Sequence, residues 1–409
     1  MMKKLVVIFS CFTSGYFAQS NVFQIQDTTL ATTNHFELKG NIDYQGTSLR
    51  NELFGKFLFG GDITDEIIQN SKAEINSRNR LGLFGTGMLK FNCGKATAFK
   101  NDKISWFVQA GTVGLANLNY TTDAYTLLFD GNTSYINDTA NLTNIRFDAF
   151  LAQKFGFGVR SKDNLSSLAF NLYSIQNYAQ VFVRKGSWYQ DSTISMININ
   201  MNGDFAYTEG DKFSKGIGVG IDFEYRFKTD WVKNSKAWFR FSVSNLGLAF
   251  LNQPLTRYQF NDTIDYSGFT VKDLIDENSA LNSDFSLLDS LGIEKKEGRS
   301  ITTIPSYIQV EKMIDQFSAK KLQVFFGLRL FASIQGVPTG FAGLYYKPTK
   351  NFALSSSVAY GGFGNFRGGF YLNYQFEKGL IVIGSDDIYG TISKNGFGKS
   401  LNARLVWRM

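Results

Sequence analysis

Histidine, cysteine and proline are nearly missing from this chain. Its 409 residues hold 1 histidine (His35), 2 cysteines (Cys11 and Cys93) and 4 prolines. The hydrolytic sites built into membrane barrels need a histidine base beside a nucleophile or carboxylate. His35 has no partner motif and sits just before the first strand, so it reads as a surface or rim residue. An enzyme is not expected. Cys11 falls in an N-terminal leader, which leaves Cys93 alone and excludes a disulfide framework or a cysteine-rich metal site. No cofactor is expected. After the N-terminus there is no run of ~18 apolar residues, which excludes a transmembrane helix. The formal net charge is +7, but the basic residues are scattered, so nothing marks a nucleic-acid surface.

What the chain does have is aromatic and small residues: 40 Phe, 19 Tyr and 39 Gly. Such usage favours strands and turns over helices. The clearest stretch is Lys215–Lys228. Ile217, Val219, Ile221, Phe223, Tyr225 and Phe227 alternate with Gly216, Gly218, Gly220, Asp222, Glu224 and Arg226. Successive strand side chains point to opposite faces, so one face is apolar and the other small or charged. The pattern returns along most of the chain at a length suited to crossing a bilayer. The fold class expected is all-β: a transmembrane antiparallel β-barrel of about 14–16 strands, with short helical segments in loops or a plug.

Residues 1–18 read as a signal peptide. Lys3 and Lys4 precede the apolar Leu5–Phe9, and Phe17-Ala18 precedes a cut before Gln19. A rival reading places a lipoprotein cleavage at Cys11. Residues 19–34 form a polar N-terminal arm, periplasmic or inserted in the lumen. Residues 35–409 form the barrel, with long outer loops near 47–78, 114–144 and 253–299. Strands are expected at Phe36–Gly46, Arg80–Phe91, Lys103–Val113, Ile145–Gly158, Leu165–Ile175, Ala179–Ser187, Thr193–Ala206 and Phe213–Lys228. They continue at Ala237–Phe250, Thr302–Lys312, Lys321–Ala332, Thr339–Tyr346, Phe352–Tyr360, Asn365–Phe376, Leu380–Ser385 and Phe397–Trp407. Asp62–Ile75 changes to helical spacing through Ile63, Ile67 and Ile68, with acids at its front. Val271–Ile275 and Phe285–Leu291 read as short amphipathic helices within the longest loop.

Alternation assigns side chains to the lumen. Asp222, Glu224 and Arg226 share one face, joined by Arg240, Arg329, Arg367 and Arg404. They line a charged path or form an internal salt-bridge lattice. Phe325, Phe331 and Tyr371 also fall on the lumen side, where they pack a plug or line an apolar pocket. Gly216, Gly218 and Gly220 do not open a helix, so they form no dinucleotide fingerprint. They read as space left on the lumen side. Asp-(Ser/Thr)-X triplets at Asp27, Asp138, Asp191, Asp262 and Asp289 resemble the O-glycosylation acceptor of exported Bacteroidota proteins.

Several segments in combination carry a wider resemblance: FLFGGDITDE (57–66), FDGNTSYINDTANLTN (129–144), GIGVGIDFEY (216–225), FSVSNLGLAFLNQ (241–253), Thr303-Ile304-Pro305-Ser306 and SVAYGGFGNFRGGFYLNY (357–374). Together they resemble a Bacteroidota outer-membrane family of unknown function. Its barrel is related in appearance to fatty-acid-transporter-like barrels and to partner barrels of type IX secretion and gliding. The resemblance implies location in the outer membrane of a Gram-negative cell and transfers no site residues. Two functions follow. One is a partly plugged channel for uptake of a small or hydrophobic solute. The other is a non-enzymatic structural barrel whose 253–299 loop docks a surface protein of a secretion, gliding or lipoprotein complex. The expected partners are outer-membrane lipid, that solute and that protein; nucleic acid is not among them.

Overall fold

The computed structural model describes residues 25–193, 196–232, 235–266, 294–332 and 337–409. The arm holds β1 (Ile25–Gln26) and a 3₁₀ turn (Thr28–Ala31). There follow β2 (Asn34–Gly46), α1 (Asn51–Phe59), α2 (Asp65–Lys72), β3 (Asn79–Cys93), β4 (Ile104–Tyr120), α3 (Thr122–Phe129), β5 (Thr139–Asn141), β6 (Ile145–Ser161) and β7 (Ser167–Gln190). The middle holds β8 (Ile197–Thr208), β9 (Gly216–Val232), β10 (Ser235–Tyr266), β11 (Glu294–Thr303), β12 (Tyr307–Lys312) and β13 (Ile314–Asp315). The last part holds β14 (Leu322–Phe331), β15 (Val337–Tyr346), β16 (Phe352–Gly362), β17 (Arg367–Phe376), β18 (Gly379–Ser385), α4 (Ile388–Ile392) and β19 (Gly398–Arg408). The last strand pairs antiparallel with β2, from Gly398 opposite Gln45 to Arg408 opposite His35, and so closes the ring.

Register corrects the strand reading. Leu165–Ile175 and Ala179–Ser187 are one strand, β7, which passes a bulge where Leu151 faces Asn177 and Ala152 faces Ile175. Thr193–Ala206 and Phe213–Lys228 become β8 and β9, two halves of one stave. Both run antiparallel to β7 and to β10. Glu209-Gly210-Asp211 therefore reverses nothing. The 209–215 excursion leaves the wall and returns to the same line. Lys215 N donates to Ile175 O (2.7 Å) and Asn252 N to Lys215 O (3.0 Å), which seals the gap. In the same way β11 and β12 are one stave broken at Ile304-Pro305-Ser306, where the proline offers no N–H to the ladder. With each broken stave counted once, and β5 set aside as a short accessory, the described wall has fourteen staves.

Two loop boundaries also shift. β4 runs on to Tyr120, so the 114–144 insert starts later and contains α3 and β5. β10 reaches Tyr266 and β11 starts at Glu294, so strand occupies both ends of the 253–299 region. The β10 and β11 extensions carry polar residues on both faces, which hides the alternation. Val271–Ile275, Phe285–Leu291 and residues 1–18 lie outside the described residues. Where a helix was expected at Asp62–Ile75, α2 forms with Asp65 and Glu66 in its first turn and Lys72 in its last, matching the helix dipole.

The outward face is apolar. Ile217, Val219, Ile221, Phe223, Tyr225 and Phe227 stand 58%, 37%, 40%, 38%, 48% and 38% exposed. Near the end where β2 begins (the lower mouth), rings follow one another around the wall. Phe36–Phe91, Phe91–Trp106 and Trp106–Phe157 are 5.0, 6.1 and 6.4 Å apart, and Phe376–Trp407 are 5.8 Å apart. Phe227–Phe239 (5.9 Å) and Phe239–Phe326 (6.5 Å) continue the ring of aromatics on the far side. Beyond the upper end of β9, Phe205, Tyr207 and Tyr258 stack at 4.9–6.3 Å. An apolar band between two aromatic levels is what a lipid-embedded barrel presents. The fold is a transmembrane antiparallel β-barrel. At the upper end α1, α2 and α3 take over from lipid and pack on Tyr44, Leu81 and Tyr120, with Tyr44 stacked on Phe54 at 4.0 Å.

Candidate functional site: a lumen closed twice

The arm closes the lower mouth. β1 lies parallel to β13, with Ile25 opposite Ile314. Ile25 and Leu30 bury themselves among the inward side chains Phe325, Phe341, Tyr345, Tyr371, Leu380, Val382 and Val406. Few polar ties hold the segment. Arg408 pairs with Asp27 at 2.6 Å, Arg226 Nη1 donates to Gln26 Oε1 at 2.6 Å, and Gln26 Nε2 donates to Asn164 O at 3.1 Å.

A second plug lies above. Phe84, Leu115, Phe331 and Phe363 form a buried inward cluster with Tyr307 against it. Phe363 comes from the β16–β17 turn. Gly361 and Gly362 both take positive φ (100° and 75°), a conformation that side chains oppose, and this turns Phe363 into the barrel. Its ring fills the place of a missing side chain: a Cβ on Gly82 would lie 2.0 Å from Phe363 Cγ. Phe331 then packs tilted against Phe363 at 5.4 Å and edge-on to Phe84 at 5.3 Å.

Charge lines the rest. Arg404 pairs with Glu37 (2.7 Å), which also takes Lys39 (3.0 Å). Glu224 takes Arg226 and Arg240 (3.2 Å to the latter), and Arg240 reaches Glu311 at 2.6 Å. Lys154 pairs with Asp222 at 2.6 Å and donates to Asn245 Oδ1 at 2.8 Å. Arg329 Nε donates to Gln309 at 2.7 Å. Lys90 lies over the Phe107 ring at 3.5 Å, and Arg160 faces the same ring at 5.5 Å. Eight cationic side chains thus meet four carboxylates. Among the described residues no carboxylate lies within 4.0 Å of Lys90 or Arg160. This lining surrounds a cavity of about 140 Å³. A second cavity of about 110 Å³ lies beside Asp148, Tyr178 and Thr302. Tyr307 borders the first cavity and Leu115 the second, so the aromatic plug stands between them.

All ten sequence-derived candidates face the lumen. Asp222, Glu224, Arg226, Arg240 and Arg329 belong to the charged lining, and so does Arg404. Arg367 stands apart, 3.9 Å from Asp43. Phe325 and Tyr371 pack against the arm, and Phe331 belongs to the upper plug, so none lines an open apolar pocket. The room beside Gly218 is taken by Ile304 and Tyr173. His35 is a correction. It is fully buried in the lower mouth, with Nδ1 2.9 Å from Thr33 O, because it lies on the inward row at the start of β2. Lys39, Lys90, Lys154 and Glu37 were missed, although the same alternation marks them. Phe363 was missed because it lies in a turn, flanked by glycines.

The model titled "Family of unknown function (DUF5723)" matches residues 62–386. The chain belongs to this family. The DUF5723 span covers the wall from the α1–α2 connection to Asp386 and leaves out the arm, β2 and β19. A search of curated proteins finds no match. Among solved structures the chain is similar to the toluene transporter TodX of P. putida, at 9% identity over 93% of this chain and 90% of that one, with TM-score 0.36. It is also similar to a FadL homologue of Pseudomonas aeruginosa (10%, 93% and 92%, 0.39) and to the toluene transporter TbuX of Ralstonia pickettii (9%, 96% and 96%, 0.39). At such identities and scores the likeness carries no argument about this chain.

Proposed function

We propose that this DUF5723 protein is an outer-membrane channel for a small solute, held shut by two plugs. The observation that carries the reading is that each closure includes a segment separate from the staves, seated among inward wall side chains. The arm seals the lower, periplasmic mouth, and the Gly361–Gly364 turn drops Phe363 between two polar cavities. A barrel needed only as a scaffold can be stiffened by wall side chains alone. Here the wall leaves space on either side of a single aromatic layer. No enzymatic role is proposed.

The test is planar-bilayer conductance of the wild type, of Phe363→Ala, and of a chain lacking residues 25–33 that also carries Phe363→Ala. The wild type is expected to stay closed with rare openings, and the doubly altered barrel to conduct steadily. A folded double variant as silent as the wild type sinks the channel reading. A second reading, the docking of a surface partner, is favoured by exposed apolar residues on the cap, Phe59 at 76% and Leu128 at 64%. Photo-crosslinking from position 59 in native membranes that yields only uncrosslinked barrel rules it out.

A further inference from the structure

Among the described residues, the cavity beside Lys90 is lined by more positive charge than the carboxylates around it answer. Lys39, Lys90, Lys154, Arg240 and Arg329 border it, against Asp222 and Glu224. Both carboxylates are already engaged, Asp222 by Lys154 and Glu224 by Arg226 and Arg240. The nearby Glu37 and Glu311 are also engaged, by Arg404 with Lys39 and by Arg240. Lys90 has an aromatic face, Phe107, in place of a carboxylate. Taking charge out of water is costly unless it is paired. An excess of cations held between an aromatic plug and a closed mouth therefore calls for a counter-charge from outside the chain. The cavity is polar and about 140 Å³, room for a small anion with a little water, given water's share of ~30 Å³ in the liquid. Lysine and arginine donors converging on one space favour oxygen-bearing anions, which accept several charge-assisted hydrogen bonds at once.

We propose that the solute of this barrel is a small oxyanion, a carboxylate or a phosphate, bound at the Lys90 cavity. That it is a transported solute rests on the channel reading above, whereas the binding site rests on the lumen charge alone. Lys39 and Lys90 face the anion from β2 and β3, with Arg240 and Arg329 opposite. Lys154 joins once its own carboxylate partner is shared.

Two measurements separate the claims. First, the intact barrel is unfolded thermally in detergent at constant ionic strength while inorganic phosphate or acetate replaces chloride. A saturable rise in melting temperature is expected with at least one of the two. Lys90→Met should weaken the apparent affinity about tenfold or more, the scale of one lost charge-assisted contact. No saturable rise with either anion overturns the site, and this holds on the wild type even where Lys90→Met fails to fold. A rise of unchanged affinity in folded Lys90→Met overturns its location. Second, reversal potentials are read on the Phe363→Ala barrel lacking residues 25–33 in gradients of potassium phosphate or acetate. Anion selectivity that Lys90→Glu shifts toward cations is expected. A conducting barrel without anion preference overturns the oxyanion as solute and leaves the channel reading standing. Stabilisation by oxyanion in a barrel that never conducts removes the channel reading and keeps the site.

Discussion

At the scale of single residues, the upper closure depends on an atom that is absent. Gly82 has no Cβ, and the Phe363 ring uses that space. Gly82→Ala is expected to push the ring out of its seat at a cost of about 1–3 kcal/mol, the usual range for overpacking. Conductance should rise toward that of Phe363→Ala. The double variant should gain little beyond either change, because the two residues share one contact. Bilayer recording with thermal unfolding checks this, and additive gains refute the shared seat. Lumen-facing positions such as Arg240 and Arg404 were legible because a strand's period is two. Their partners were not. That Arg404 meets Glu37, from the opposite end of the chain, depends on β19 closing against β2, and no local pattern carries that pairing.

At the scale of elements, the link from β18 to α4 contains an unusual acid. Asp387 caps α4 by accepting from Gly390 N at 2.8 Å. Asp386 beside it is buried, receives the Tyr371 hydroxyl, and accepts from Asn402 Nδ2 at 3.3 Å. Burial first, and then the nearby Asp43 carboxylate, push the Asp386 carboxyl up to about 7 from an ordinary 3.8. The folded state then holds this proton more tightly than the unfolded chain. Stability from this group is full below about pH 4 and is lost as pH rises through about 7, by up to about 4 kcal/mol. Denaturant midpoints should fall across that window, and Asp386→Asn should flatten the slope. A wild-type midpoint that rises over the same window contradicts the assignment. Elements were legible where lipid imposes alternation, as in Gly216–Val232. They were misread where it does not. The 209–215 excursion has every local mark of a hairpin turn, and only its return to β7 and β10 shows otherwise. Above the apolar band, strands with polar residues along them passed for loops.

At the scale of the whole molecule, the class of fold was legible, because strand alternation returns over most of the chain at a length suited to crossing a bilayer, and among the described residues no helix is long and apolar enough to cross a membrane. The count of staves was legible only as a range: the fourteen found stand at the low end of the expected 14–16, since each interruption in the wall looks like a reversal. One feature of the wall has a bearing on where the molecule can settle. On β9 the outward apolar row runs from Ile217 to Phe227, about ten residues; at ~3.3 Å per residue and a tilt of roughly 40° it stands ~25 Å tall. That is short of the ~30 Å of an average hydrocarbon core and close to a thin one. Hydrophobic mismatch therefore acts as a sorting device, favouring a thin bilayer and penalising a thick one. Folding yield is expected to be higher in short-chain than in long-chain phosphatidylcholine bilayers, as read by heat-modifiable gel mobility. Equal yields in both argue that the band does not select the membrane.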